Sequence, residues 1–163
     1  MKIFLIGMPG TGKSTVGKIL ANKLGWKFMD LDHYIEEREL MFIDHIITLY
    51  GEDAFRVMET NALKSINEES MVVSTGGGIV TRKENKQFIN GIKIYLETPI
   101  ELIEQRLKDS YERPLLKEKS LQQIYDERFL KYQGFADHII SNSKEVSRTV
   151  ENILSLLKEM NIL

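Results

Sequence analysis

Along this chain, short contiguous apolar runs alternate with longer stretches in which apolar residues recur every three or four positions. The runs suit strands buried on both faces, and the longer stretches have the period of amphipathic helices. The runs are Lys2-Ile3-Phe4-Leu5-Ile6, Trp26-Lys27-Phe28-Met29, Met71-Val72-Val73-Ser74, Ile92-Lys93-Ile94-Tyr95-Leu96 and His138-Ile139-Ile140. Between the first two lies a helical pattern with Val16, Ile19, Leu20 and Leu24, stopping at Gly25. A helical pair then covers 43–50 and 52–66, broken at Gly51, with Phe55, Met58, Ala62, Leu63 and Ile66 as its apolar stripe. Helix signals return from Arg82 to Asn90, with Gly91 as the stop. Thr98-Pro99-Ile100-Glu101 is a capping box with proline at the first helical position, so a helix opens there and runs to about Leu107. From Leu121 a helix turns Ile124, Tyr125, Phe129 and Tyr132 inward, and Val146, Val150, Ile153, Leu154 and Leu157 mark a closing amphipathic helix. Strands alternating with helices in this way predict an α/β fold with a parallel sheet.

A chain of 163 residues is expected to form one domain, 1–163, burying roughly two-thirds of its unfolded surface. Lys and Arg number 22 against 24 Asp and Glu, a formal charge of −2, so no global basic field draws the protein to nucleic acid or a membrane surface. Any anion site must be local. The absence of cysteine excludes a disulfide framework or a thiolate metal site and suits a reducing cytoplasm. The apolar run at the N-terminus has five residues, too short for a signal core or a membrane span. The expectation is a cytoplasmic protein.

Gly7-Met8-Pro9-Gly10-Thr11-Gly12-Lys13-Ser14 matches the phosphate-binding loop, G-x-x-x-x-G-K-[ST], and sits between a strand and a helix as that motif requires. Its glycines let the backbone approach an anion without a Cβ in the way, so successive N–H groups and the helix N-terminus can face phosphate oxygens. Lys13 would reach the β- and γ-phosphates and the Ser14 hydroxyl would ligate Mg²⁺.

Further candidate residues fall at strand ends, on helices and in one connection. Asp30-Leu31-Asp32 follows the second strand, where the carboxylates either emerge at the ligand-binding edge of the sheet or serve locally, Asp32 as a helix N-cap and Asp30 as a turn residue. The third strand runs into Thr75-Gly76-Gly77-Gly78; three adjacent glycines fit a backbone that approaches a ligand or adopts positive φ, or else a flexible loop, and packing is not the expected reason. Arg56 can pair with Glu59 one turn later, which is its simplest account. Stepping 121, 124, 128, 132 puts Arg128 on the inward stripe of its helix, where a guanidinium needs a carboxylate or an anionic ligand. Between Lys108 and Ser120 the chain is polar around Arg113-Pro114-Leu115-Leu116, which predicts a mobile connection over the site.

Taken in order, the phosphate loop, Asp30-Leu31-Asp32, Gly51 to Glu59 with its Phe55-Arg56, the triple glycine, Arg113-Pro114-Leu115-Leu116, and Glu127-Arg128 with Tyr132 resemble the successive motifs of the shikimate kinases. The resemblance covers essentially the whole chain. It implies a three-layer α/β/α P-loop kinase fold, with a five-stranded parallel sheet in the order 2-3-1-4-5, substrate-binding helices at about 32–66 and a lid at about 108–120. The implied reaction is phosphorylation of the 3-hydroxyl of shikimate by ATP with Mg²⁺, on the route to chorismate and the aromatic amino acids. By the same resemblance ATP lies on Gly10, Thr11, Gly12, Lys13, Ser14 and Thr15, with Arg106 against adenine and Arg113 at the transferring phosphoryl group. Asp32 would hold substrate hydroxyls and be the candidate base, Arg56 and Arg128 would clamp the shikimate carboxylate, and Gly77 and Gly78 would complete the pocket. Ser14 would ligate Mg²⁺ directly and Asp30 through water. A monomer with no nucleic-acid or membrane partner suffices for this chemistry.

The chain departs from that pattern at Ser143-Lys144-Glu145, where many relatives place a proline beside the adenine. A gluconate-type kinase would share the phosphate loop without needing Asp32, Arg56 and Arg128 together. A guanine-nucleotide switch would need Asn-Lys-x-Asp, and neither Asn22-Lys23-Leu24-Gly25 nor Asn85-Lys86-Gln87-Phe88 supplies the aspartate.

Overall fold

In the computed structural model, residues 1–108 and 119–163 are described. The elements in order are β1 (Lys2–Ile6), α1 (Lys13–Leu24), β2 (Lys27–Asp30), α2 (Leu31–Glu39), α3 (Ile43–Tyr50), α4 (Glu52–Ser65), β3 (Met71–Ser74), a 3₁₀ turn (Ile79–Thr81), α5 (Asn85–Phe88), β4 (Ile92–Glu97), α6 (Ile100–Lys108), α7 (Leu121–Phe135), β5 (His138–Ser141) and α8 (Val146–Glu159). All five strands are parallel, in the order β2-β3-β1-β4-β5. This is the sheet expected from the sequence.

β1 lies at the centre and shows why its apolar run is unbroken. Phe4 and Ile6 face one core layer with Met8, Leu31, Ile35, Phe55, Tyr95 and Tyr132. Ile3 and Leu5 face the other, with Val16, Leu20, Val72, Ile94, Val150, Ile153 and Leu157. Alternate side chains of a strand point to opposite faces, so a strand covered on both sides is apolar on both, as Ile3 to Ile6 are after the buried Lys2. Each such side chain contributes about 1.5–3 kcal/mol on burial. The strand C-termini share one edge, where α/β sheets hold ligands.

Two local expectations are corrected, and one of two open alternatives is decided. Ile19 is not part of the buried stripe of α1, being 38% exposed, because that helix packs through Val16, Gly17, Leu20 and Ala21. A Cβ at Gly17 would stand 2.7 Å from the Phe28 ring, so the small residue sets the close approach of α1 to β2. The long helix expected from Arg82 to Asn90 is only the single turn α5, because Asn85 is drawn wholly inside and its amide donates to the Ile79 carbonyl while accepting from Thr60 Oγ1. Finally, Asp30 rather than Asp32 caps α2; its Oδ1 accepts from the His33 N–H at 3.2 Å, and the helix already begins at Leu31. Asp32, in the first turn, is thereby left to face the sheet edge.

Candidate active site

A cavity of about 290 Å³ opens at that edge, lined by the phosphate loop, Asp30, Asp32, Ser74 to Gly77 and Arg106. The loop turns through Gly10 (φ 80°) and Gly12 (φ 84°), backbone that favours glycine. Gly12 is the N-cap of α1 and offers no side chain to the first turn, so the helix N-terminus keeps its N–H groups for an anion. Lys13, 7% exposed, folds back over the loop and donates to the carbonyls of Gly7 at 2.9 Å and Met8 at 2.8 Å. Thr15 also borders the cavity.

Ser14 Oγ donates to Asp30 Oδ2 at 2.6 Å and lies 3.1 Å from Ser74 Oγ. A hydroxyl and a carboxylate converging beside a phosphate cradle are hard oxygen donors of the kind Mg²⁺ takes in sites it shares with a nucleotide. No group of three or more histidine, cysteine or acidic side chains that could hold a metal ion occurs among the described residues. The pair fits the expected Mg²⁺ position.

The second half of the site gathers the charged residues. Arg56, 6% exposed, donates from NH1 to Glu59 Oε1 at 2.6 Å and from NH2 to Glu52 Oε1 at 3.1 Å. The pairing expected from the sequence is thus present. Yet its Nε remains buried with no hydrogen-bond acceptor among the described residues, so the guanidinium retains a donor for a ligand. Arg128, 7% exposed, lies on the inward face of α7 as its spacing predicts. Its positive charge and that of Arg56 both act on Glu59. Tyr132, one turn later, donates to the Gly77 carbonyl at 2.5 Å, and burial pushes its hydroxyl up to about 12, where it stays a donor.

Glu59 is the residue that sequence reasoning placed only as an ion-pair partner. It is wholly buried, and its Oε2 accepts no hydrogen bond among the described residues. Burial pushes its carboxyl up to about 7, with Asp32 adding to the rise and Arg56 and Arg128 opposing it. No local pattern reveals this, because Asp32 and Glu59 meet only in the folded chain.

The triple glycine has a reason that its sequence does not suggest. None of the three residues adopts positive φ. Instead each sits against a site group. A Cβ at Gly76 would stand 2.8 Å from both Asp32 Oδ1 and Glu59 Oε2, and one at Gly77 would stand 2.7 Å from Pro9 Cδ of the phosphate loop. A Cβ at Gly78 would collide with the guanidinium of Arg56. Packing, which the sequence reading set aside, is what demands glycine here.

Arg106 donates from NH1 to the Thr11 carbonyl at 2.7 Å, which places it on the nucleotide side of the cavity. Arg113 lies outside the described residues, as does most of the segment expected to form the lid. Of the other sequence-predicted site residues, Gly10, Gly12, Lys13, Ser14, Thr15, Asp30, Asp32, Gly77 and Arg106 line the cavity, Thr11 lies in its loop, and Arg56, Gly78 and Arg128 are grouped with Glu59 next to it.

Comparison with known proteins agrees with that geometry. A family model described as "Shikimate kinase" matches residues 9–158. A shikimate kinase of Sulfurihydrogenibium sp. is 41% identical over 96% of this chain and 97% of its own, and one of Persephonella marina is 38% identical over 96% and 98%. Among solved structures, a shikimate kinase from Acinetobacter baumannii in complex with shikimate superposes with a TM-score of 0.93 at 35% identity, covering 99% of this chain and 95% of that one. An unliganded sugar kinase from Janibacter sp. at 11% identity and a TM-score of 0.68 shares the fold alone. With a family model spanning nearly its whole length and relatives of this closeness, the chain belongs to the shikimate kinase family.

Proposed function

We propose that this chain transfers the γ-phosphoryl group of ATP to the 3-hydroxyl of shikimate, giving shikimate 3-phosphate and ADP. The observation that carries the reading is the pair of nearly buried arginines that both act on Glu59, Arg56 against Gly78 and Arg128 on the inward face of α7, next to a phosphate-loop cavity that Asp32 lines. Guanidinium forks match the planar carboxylate of the substrate, which a lysine would meet only as a point charge. Asp32 then holds the hydroxyl that is to be phosphorylated, and Tyr132 keeps Gly77 and Gly78 in place behind the ring.

In such a transfer the transition state is loose, so positioning and charge neutralisation dominate over proton abstraction. Lys13 and the first N–H groups of α1 receive the phosphates from one side. Ser14 and, through water, Asp30 would hold Mg²⁺, which would supply positive charge to offset that of the phosphates. Arg106 would lie toward the adenine. Arg113, by resemblance alone, would reach the transferring group from the segment over the site. The reading includes a cytoplasmic monomer without nucleic-acid or membrane partners, supported by the near-balanced charge and by proposed ligands that all come from one chain. No described helix is long and apolar enough to cross a membrane.

The test is ADP release from MgATP with shikimate, quinate or gluconate added in turn. Stimulation by shikimate alone supports the assignment; stimulation by gluconate alone, or by none, overturns it.

Two expected results arise directly from the geometry. Gly78→Ala should displace the Arg56 guanidinium and raise KM for shikimate about tenfold, with KM for ATP within about threefold, as overpacking of about 1–3 kcal/mol would give. Steady-state kinetics with each substrate varied checks it. The second concerns protons. Glu59 titrates at about 7 because its burial cost is only partly offset by Arg56 and Arg128. A substrate carboxylate shared between those arginines brings a further negative charge and weakens their hold on Glu59, so its pKa rises and binding takes up protons near neutral pH. Calorimetry of shikimate binding in two buffers of different ionisation enthalpy should show uptake, of less than one proton; release would contradict the shared clamp.

A further inference from the structure

The phosphate loop is held from behind by a buried amide that none of the roles above uses. Asn142 follows the last residue of β5 and is 1% exposed. Its Nδ2 donates to the Thr11 carbonyl at 2.8 Å and to Thr98 Oγ1 at 2.9 Å, while its Oδ1 accepts from Thr149 Oγ1 at 2.7 Å. Thr98 and Thr149 are buried too, at 3% and 1%. The amide is thus pinned on three sides, with its orientation fixed by the Thr149 hydroxyl. A backbone donor–acceptor pair, Asn142 N–H to the Glu97 carbonyl at 2.8 Å, anchors the same residue to β4.

The consequence lies in the peptide plane between Thr11 and Gly12. In a trans peptide unit the C=O and the N–H point in opposite directions. Holding the Thr11 carbonyl back toward Asn142 therefore turns the Gly12 N–H forward, and Gly12 lines the cavity. With φ of 84°, Gly12 has backbone freedom that a side chain would deny it, so without an anchor the plane could rotate and withdraw the donor. Arg106 grips the same carbonyl from the cavity side, but an arginine on the nucleotide face can be drawn away when a nucleotide binds. Asn142 cannot be reached from there.

We infer that Asn142 is a positioning residue for the nucleotide, fixing the Thr11–Gly12 peptide plane so that the loop presents its N–H groups to the phosphates before ATP arrives. The inference rests on the kinase reading for the identity of the ligand, but its readout does not require turnover. Preorganisation of this kind lowers the cost of binding and acts on the nucleotide alone.

Asn142→Asp keeps the shape and the acceptor for Thr149 but replaces the donor facing Thr11 by an oxygen. It should weaken ADP binding, measured by calorimetry on the full chain, about tenfold or more, and raise KM for ATP to match, with KM for shikimate within about twofold. Thr149→Val, which removes only the hydroxyl that orients the amide, should shift the nucleotide constants in the same direction by a few-fold. If Asn142→Asp does not fold, Thr149→Val decides. Unchanged ADP affinity in a folded variant, or equal shifts in both substrate constants, overturns the inference. A wild-type chain that binds ADP but shows no shikimate-stimulated turnover would instead overturn the kinase reading, and the ADP affinities would still decide the role of Asn142.

Discussion

Replacing Arg128 by alanine is expected to raise KM for shikimate about 100-fold while KM for ATP moves by less than about threefold. Arg128 is 7% exposed, and its charge acts with that of Arg56 on the buried Glu59. Truncating one member of a desolvated ion pair costs roughly 2–5 kcal/mol, and each 1.4 kcal/mol is a factor of ten in affinity. The lower part of that range applies, because Arg56 remains to hold the substrate carboxylate. Arg128→Lys should recover only part of the loss, since an ammonium restores the charge without the planar fork. Initial rates with each substrate varied separate the two constants. Equal increases in both would remove Arg128 from the carboxylate clamp and assign it to the structure of α7.

Lys13→Met should lower kcat about 100- to 1,000-fold, the range found when one preorganised donor to developing charge is lost. KM for shikimate should stay within about threefold, because Lys13 sits on the phosphate side of the cavity. The methionine preserves length and stem, so the loss isolates the ammonium. Lys13 also ties down the Gly7 and Met8 carbonyls, and a thermal melt checks whether the loop survives the change. A folded variant with near-normal turnover would leave the phosphate loop as a binding element only.

How much of this could be read from the residues depends on the range of the interaction. The sheet order came from the resemblance, and the strands from unbroken apolar runs, which a sheet covered on both faces enforces locally. Arg128 was placed inward by helical spacing alone, and it is buried. Where tertiary contacts decide, the reading failed or stopped short. Ile19 satisfies the helical period of α1 yet is 38% exposed, because that helix packs through Val16, Gly17, Leu20 and Ala21. The stretch 82–90 has helix formers, but burial of Asn85 against Thr60 and Ile79 confines it to one turn. Asp30 and Asp32 are equivalent in sequence, and only the cap geometry at His33 separates them.

The triple glycine is the most instructive case. Its composition pointed to a ligand or a loop, and the structure adds a third cause, the side chains of Asp32, Glu59, Arg56 and Pro9 crowding the backbone. Those four come from three separate segments, so no window of sequence contains the reason. The same holds for Glu59, whose titration is set by burial and by Asp32, and for Asn142, whose partners lie 131, 44 and 7 positions away.

The most direct measurement identifies the product. The chain is incubated with MgATP and shikimate, and the mixture is analysed by phosphorus–proton correlation spectroscopy. The expected product is one new phosphate ester, coupled to the proton on C3 of shikimate and formed in equal amount with ADP. Unmodified shikimate with ADP and inorganic phosphate, or an ester on a different hydroxyl, would contradict it.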